Sequence, residues 1–152
     1  MITDSILRLS ENQGAITADA VSTNTIDLSI AREIGEGKDI YMIFTVTTTG
    51  TGAGTIVFSA IVDTDPGLAT SVTTLVSSAA YVGTALVAGT STDQKGTQIV
   101  LRLPPVIASL GKRYLGANYD VTGTVGAVKI TCDIVTDVQD GKKFYASGFS
   151  VV

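Results

Sequence analysis

The chain lacks histidine and tryptophan and has one cysteine and three prolines in 152 residues. Without imidazole, His-based acid–base catalysis, His-activated nucleophiles and His-ligated metals drop out. One cysteine permits neither an intramolecular disulfide nor a multi-cysteine zinc or iron–sulfur site. Cys132 alternates with Val128, Ile130 and Ile134, which marks a small core residue rather than a nucleophile. Charge is scarce too: 16% of residues, against ~25% in an average soluble domain. Disordered chains are charge-rich and poor in β-branched residues, so an ordered core is expected. No run reaches the ~18 apolar residues of a membrane-spanning helix. The opening MITDSILRLSENQ lacks a basic and then an apolar region, so no signal peptide is expected, and synthesis belongs in a cytoplasm. There is no Asn-x-Ser/Thr sequon to suggest glycosylation.

What is present alternates. In DIYMIFTVTT (39–48), Ile40, Met42, Phe44 and Val46 share one face of a strand. In GTIVFSAIVD (54–63), Ile56, Phe58, Ala60 and Val62 do the same. The intervening TTGTGAG reads as a flexible, Gly-rich hairpin loop. Runs at 72–78, 80–88, 97–103, 113–121 and 126–136 favour β-branched or aromatic residues and read as further strands. Asp65-Pro66-Gly67 and Thr122-Gly123 supply turns, and Pro104-Pro105 ends a strand. The best helical candidates, Ser5–Leu9 and Ile107–Leu110, are about one turn each. About eight short strands with turn signals between them predict a single all-β domain: a sandwich, jelly roll or barrel. The polar, patternless SENQGAITADAVSTNT places residues 1–25 outside that pattern. They read either as a loosely attached terminus or as an arm that orders against a neighbouring subunit, leaving residues 26–152 as the domain. KKFYASGFSVV, with Phe144, Tyr145 and Phe149, is expected to pack as a final strand or to lie on a partner.

The net charge of −4 and pI near 4.6 argue against a nucleic-acid binder. Residues 1–94 carry three basic and ten acidic side chains, a net of −7, whereas residues 95–152 carry seven and four, a net of +3. Either this asymmetry serves contacts between subunits, or the two halves interleave and it averages out. Asp63 and Asp65 could approach a calcium ion, but further acidic ligands at the right offsets are missing and Asp is what a turn prefers. Asp120 and Asp133, if they faced each other across a cleft, would resemble a glycosidase pair, yet there is no Trp for sugar stacking. The expectation is a non-enzyme without cofactor or metal.

One resemblance runs through the chain. Ile34-Gly35-Glu36-Gly37 leads into Tyr41-Met42-Ile43-Phe44-Thr45-Val46-Thr47. Leu103-Pro104-Pro105, Arg113-Tyr114-Leu115-Gly116-Ala117-Asn118-Tyr119 and Asp137-Val138-Gln139-Asp140 follow in order. Together they resemble the capsid cement (decoration) proteins of short-tailed bacteriophages over about residues 30–150; the chain departs from that pattern across 80–96. The resemblance implies a jelly-roll-like antiparallel β-sandwich on the outer surface of a virion. Its partners would be the major capsid protein and further copies of itself, a dimer rather than a trimer, with no nucleic acid and no membrane. Contacts are expected from the arm (Ile6, Leu7, Leu9), the loops around 49–54 and 89–96 (Thr51, Thr92, Lys95) and Arg113. Leu115, Ala117 and Tyr119 should point inward, leaving Arg113 to pair with a carboxylate. The alternative is a carbohydrate-binding or adhesin-type sandwich of a phage tail or head fibre.

Overall fold

The alternating runs become strands in the computed structural model, which describes residues 5–29, 39–89, 96–105 and 110–136. In chain order the strands are β1 (Arg8–Ile16), β2 (Ala20–Val21), β3 (Ile26–Asp27), β4 (Tyr41–Thr48) and β5 (Thr55–Asp63). They continue with β6 (Thr73–Ser77), β7 (Tyr81–Val82), β8 (Gln98–Arg102), β9 (Tyr114–Thr122) and β10 (Val128–Val135). One sheet has the order β1-β10-β4-β8; the other has β2-β9-β5-β6, with β3 also on β9 and β7 also on β5. Every pairing is antiparallel. The protein is thus an all-β antiparallel sandwich.

The side chains predicted to share a face meet in the space between the sheets. Met42, Phe44 and Val46 from β4 and Ile130, Cys132 and Ile134 from β10 oppose Ile56, Phe58, Ala60 and Val62 from β5. Leu115, Ala117 and Tyr119 of β9 point inward, as expected. Phe44, Phe58 and Tyr119 form an aromatic centre with ring centroids 5.1 to 6.0 Å apart, two of the contacts edge-on. The buried phenol of Tyr119 meets the Ser10 hydroxyl at 2.8 Å, and Ser10 donates in turn to Gln13 at 2.6 Å. Burial raises the Tyr119 phenol and the Cys132 thiol well above their ordinary pKa values.

Three expectations need correction. The arm is not free over residues 8–16: these form β1, paired with β10, and put Leu9 and Ile16 into the core. They lack visible alternation because the pairing slips between Arg8 and Ser10, Ser10 and Gln13, and Gln13 and Ile16, with Asn12 at φ 43°. The predicted strand over 80–88 is two residues of β7 followed by a 3-10 turn, Gly83–Ala85. The helical turn expected over Ser5–Leu9 stops at Leu7, where β1 takes over; of Ile107–Leu110, residues 107–109 lie outside the described residues, as do 1–4 and 137–152.

Candidate interaction surface

The two ends of the sandwich are built differently. At one end the 49–54 loop lies against the 83–85 turn and the β9–β10 connection. A Cβ on Gly52 would collide with the carbonyl of Thr124, and one on Gly83 with that of Val125. Gly52 donates to Val125 O at 3.1 Å and Gly54 to Thr124 O at 2.7 Å, while Gly83 donates to Gly54 O at 2.8 Å. The glycines therefore let three backbones touch, so the loop read as flexible is a packed joint. Thr51 remains exposed at its tip.

At the other end the organising group is Asp63, at the close of β5. Its carboxylate is buried and accepts from the amides of Thr64 (2.6 Å), Thr70 (3.0 Å) and Ser71 (3.0 Å) and from the Ser71 hydroxyl (2.8 Å). Burial alone would raise the pKa of this carboxyl, but the donors from Ser71, Thr70 and Thr64 outweigh it and hold it well below the usual range. Lys112 braces the loop from outside, donating to Ser71 O at 2.7 Å. The loop carries Leu68, in a left-handed conformation at φ 53°, down onto the outer face of the second sheet. There it covers the spot where Gly116 lacks a side chain. Ile61, paired with Gly116, lies buried on that same face. Asp63 thus accepts hydrogen bonds to anchor a loop, a different task from ligating calcium.

Beside this loop a cleft of about 500 Å3 opens between the sheets. Its walls are apolar: Ile26 and Leu115 from one sheet, Ile40, Leu103 and Ile134 from the other side, with Pro104 and Pro105 also lining it. The ionic groups at its rim already have partners. Arg113 grips Asp27 with two hydrogen bonds, at 3.0 and 2.7 Å, and its guanidinium lies 5.2 Å from the Tyr114 ring centroid. Arg113, with help from the Ser29 amide, holds the Asp27 carboxyl well below its usual range. Arg102 pairs with Asp39. Arg113 therefore finds its expected carboxylate; that the partner is Asp27 depends on β3 lying beside β9, which no local pattern reveals.

The expected contact residues do not form one patch. Ile6 is exposed (64%), Leu7 packs partly against the core, and Leu9 is wholly buried (0%), so Leu9 is a core residue and cannot touch a partner. Thr51 and Arg113 lie at opposite ends of the nine-residue β9, roughly 30 Å apart at strand spacing. Thr92 and Lys95 lie outside the described residues. Asp120 and Asp133 occupy the outer faces of opposite sheets, with the core between them, so they do not form a facing pair. Among the described residues, no three His, Cys, Asp or Glu side chains converge on one point. The cleft went unforeseen; the only local signal was Leu103-Pro104-Pro105, which marks the end of a strand but not what that end overhangs.

No curated protein matches the chain. A family model described as Bbp16 matches residues 9–134, from Leu9 in β1 to Ile134 in β10, so the chain belongs to the Bbp16 family, whose name is associated with phages.

Proposed function

We propose that this protein decorates and stabilises an icosahedral phage capsid, bridging neighbouring major capsid proteins from the outer surface. The observation that carries the reading is the phage-associated family match across the whole sandwich, residues 9–134, in a chain whose ordered motifs resemble those of cement proteins. The antiparallel two-sheet sandwich, with strand orders β1-β10-β4-β8 and β2-β9-β5-β6, adds support, since double-sheet β architectures recur among viral capsid domains. The mechanism is multivalency. Copies of the chain associate, in pairs by preference, so that each assembly touches two capsomers. A weak contact then becomes an intramolecular one, and the avidity exceeds either contact alone. The rigid joint at one end of the sandwich and the Asp63-braced loop at the other favour such contacts, because little chain freedom is lost on docking. The adhesin alternative has less support: of the six described aromatic residues, none is exposed, whereas a sugar-stacking face needs rings at the surface.

The test is a copy count by quantitative mass spectrometry of purified virions, relative to the major capsid protein. One copy per capsid subunit, or a simple fraction of that, is expected. A dozen copies or fewer per particle would move the protein to a vertex or the tail, and absence from virions would end the proposal.

A further inference from the structure

We infer that β8 is the edge through which two copies of this chain associate, antiparallel about a two-fold axis at Val100, so that two four-stranded sheets become one of eight strands. The other sheet edges are short or irregular. β1 slips register three times against β10, β6 slips once against β5, and β2, β3 and β7 are two residues each. Shortness and bulges of this kind keep an edge from recruiting a further strand. β8 instead pairs with β4 over five consecutive residues without a slip. At the ends of that ladder Thr97 O accepts from Val46 N and Leu103 N donates to Ile40 O. Strand geometry then turns the N–H and C=O groups of Gln98, Val100 and Arg102 away from β4, where no described residue meets them. All three side chains are exposed, Val100 at 40%.

Such an edge takes an added strand, and β8 is complementary to itself in one register. Opposing Val100 to its counterpart sets Gln98 against Arg102, and each pair exchanges both backbone bonds. Two exposed valines cover each other. The two Arg102 groups, each bound to its own Asp39, stand roughly 14 Å apart along the strands. Shifting one way opposes Arg102 to Arg102 or brings Pro104, which has no N–H, into the ladder. Shifting the other way brings in Gly96, where a Cβ would meet Gly89 N at 2.6 Å, so that backbone is already covered. The pairing of copies invoked above thereby gains a location, although the edge geometry carries it without reference to a capsid.

Sedimentation velocity of the full-length chain, from micromolar to submillimolar concentration, should show a reversible monomer–dimer equilibrium. Val100→Lys sets two ammonium groups opposite each other and should weaken dimerisation about tenfold or more, while the far-UV β spectrum and cooperative melt persist. Val82→Lys, at an equally exposed position on β7, should leave dimerisation unchanged. Crosslinking reads the register. Val100→Cys should form an intermolecular disulfide on mild oxidation, since opposed residues in such a pair have Cα atoms about 5.5 Å apart. Gln98→Cys alone should not, but mixed with Arg102→Cys it should; Cys132 is buried and stays silent. If Val100→Lys unfolds the chain, the crosslinking pattern decides. A monomer at every concentration would overturn the inference and leave the virion copy count to decide the decoration reading separately. So would a dimer that a folded Val100→Lys leaves intact, or one that Gln98→Cys crosslinks as readily as Val100→Cys.

Discussion

At the scale of single residues, glycine position explains more than glycine number. Gly14 has open space where a Cβ would go, so Gly14→Ala should be neutral or stabilise by about 0.4–1 kcal/mol through the unfolded chain. A Cβ added at Gly116 would run into buried Leu68 and come within 3.0 Å of the Ser22 hydroxyl, which is tied to Ala117 N and Asn24 O. Gly116→Ala should therefore cost about 1–3 kcal/mol, as overpacking does. Gly52→Ala should cost more still, because the obstruction there is the Thr124 backbone rather than a side-chain tip. Urea midpoints of the three variants test this ranking, and Gly52→Ala proving as mild as Gly14→Ala would refute the packed joint. Acid stability also reads out individual groups. Asp27 and Asp63 have folded pKa values below the ordinary carboxylate value. As pH falls below ~3.9 the unfolded chain takes up their protons first. Their contribution is therefore fully present above about pH 4 and is lost as pH drops toward the folded values. With no histidine in the chain, the stability curve should be flat from about pH 5 to 8. Urea midpoints that fall only below pH 4, with a shallower fall and a lower neutral-pH value in Asp63→Asn, are the expected outcome.

At the scale of elements, legibility tracked regularity. β4, β5, β8, β9 and β10 keep their inward and outward alternation almost unbroken, and each was readable from sequence to within about two residues. β1 was not, because each slip in its pairing with β10 moves the next side chain onto the wrong face for a period-two reading. What remains is a polar stretch with Leu9 and Ile16 at its ends, which by composition looks like an arm. The 80–88 run failed for the opposite reason: its residues suit a strand, but contact of Gly83 with the neighbouring backbones turns the chain after Val82. The cleft is assembled from five separate stretches, none distinctive alone, so no local rule could show it. β1 gives the sharpest test of the corrected element. Leu9→Ala should cost about 2–5 kcal/mol, the range for a fully buried leucine. Ile6→Ser, at a 64% exposed position, should stay within about 0.5 kcal/mol. Equal, negligible effects in both variants would return residues 8–16 to the status of a loose arm.

At the scale of the molecule, ion pairs among the described residues join the oppositely charged halves of the chain. Arg8–Asp133, Arg102–Asp39 and Arg113–Asp27 each join residues 1–94 to residues 95–152, and each sheet takes strands from both halves. The interleaving that pairs these charges also makes the fold non-local. β1 reaches β10 across 125 residues, from Arg8 to Asp133, and β2 and β3 wait for β9. Closing such loops loses chain entropy before any contact compensates, so refolding on the millisecond-to-second scale is expected rather than microseconds. The same topology orders the events. β5 and β9 are central strands with a nine-residue register between them, whereas β1 is an edge strand held through irregular pairing. The edge should dock after the rate-limiting step. Leu9→Ala should then speed unfolding by nearly its whole stability loss and leave the refolding rate close to wild type, while Phe58→Leu at the aromatic centre should slow refolding. Stopped-flow chevrons followed by tyrosine fluorescence separate the two limbs. Refolding slowed by Leu9→Ala as much as its equilibrium loss allows would place β1 in the nucleus, and the sandwich would then have to assemble from its most distant pairing first.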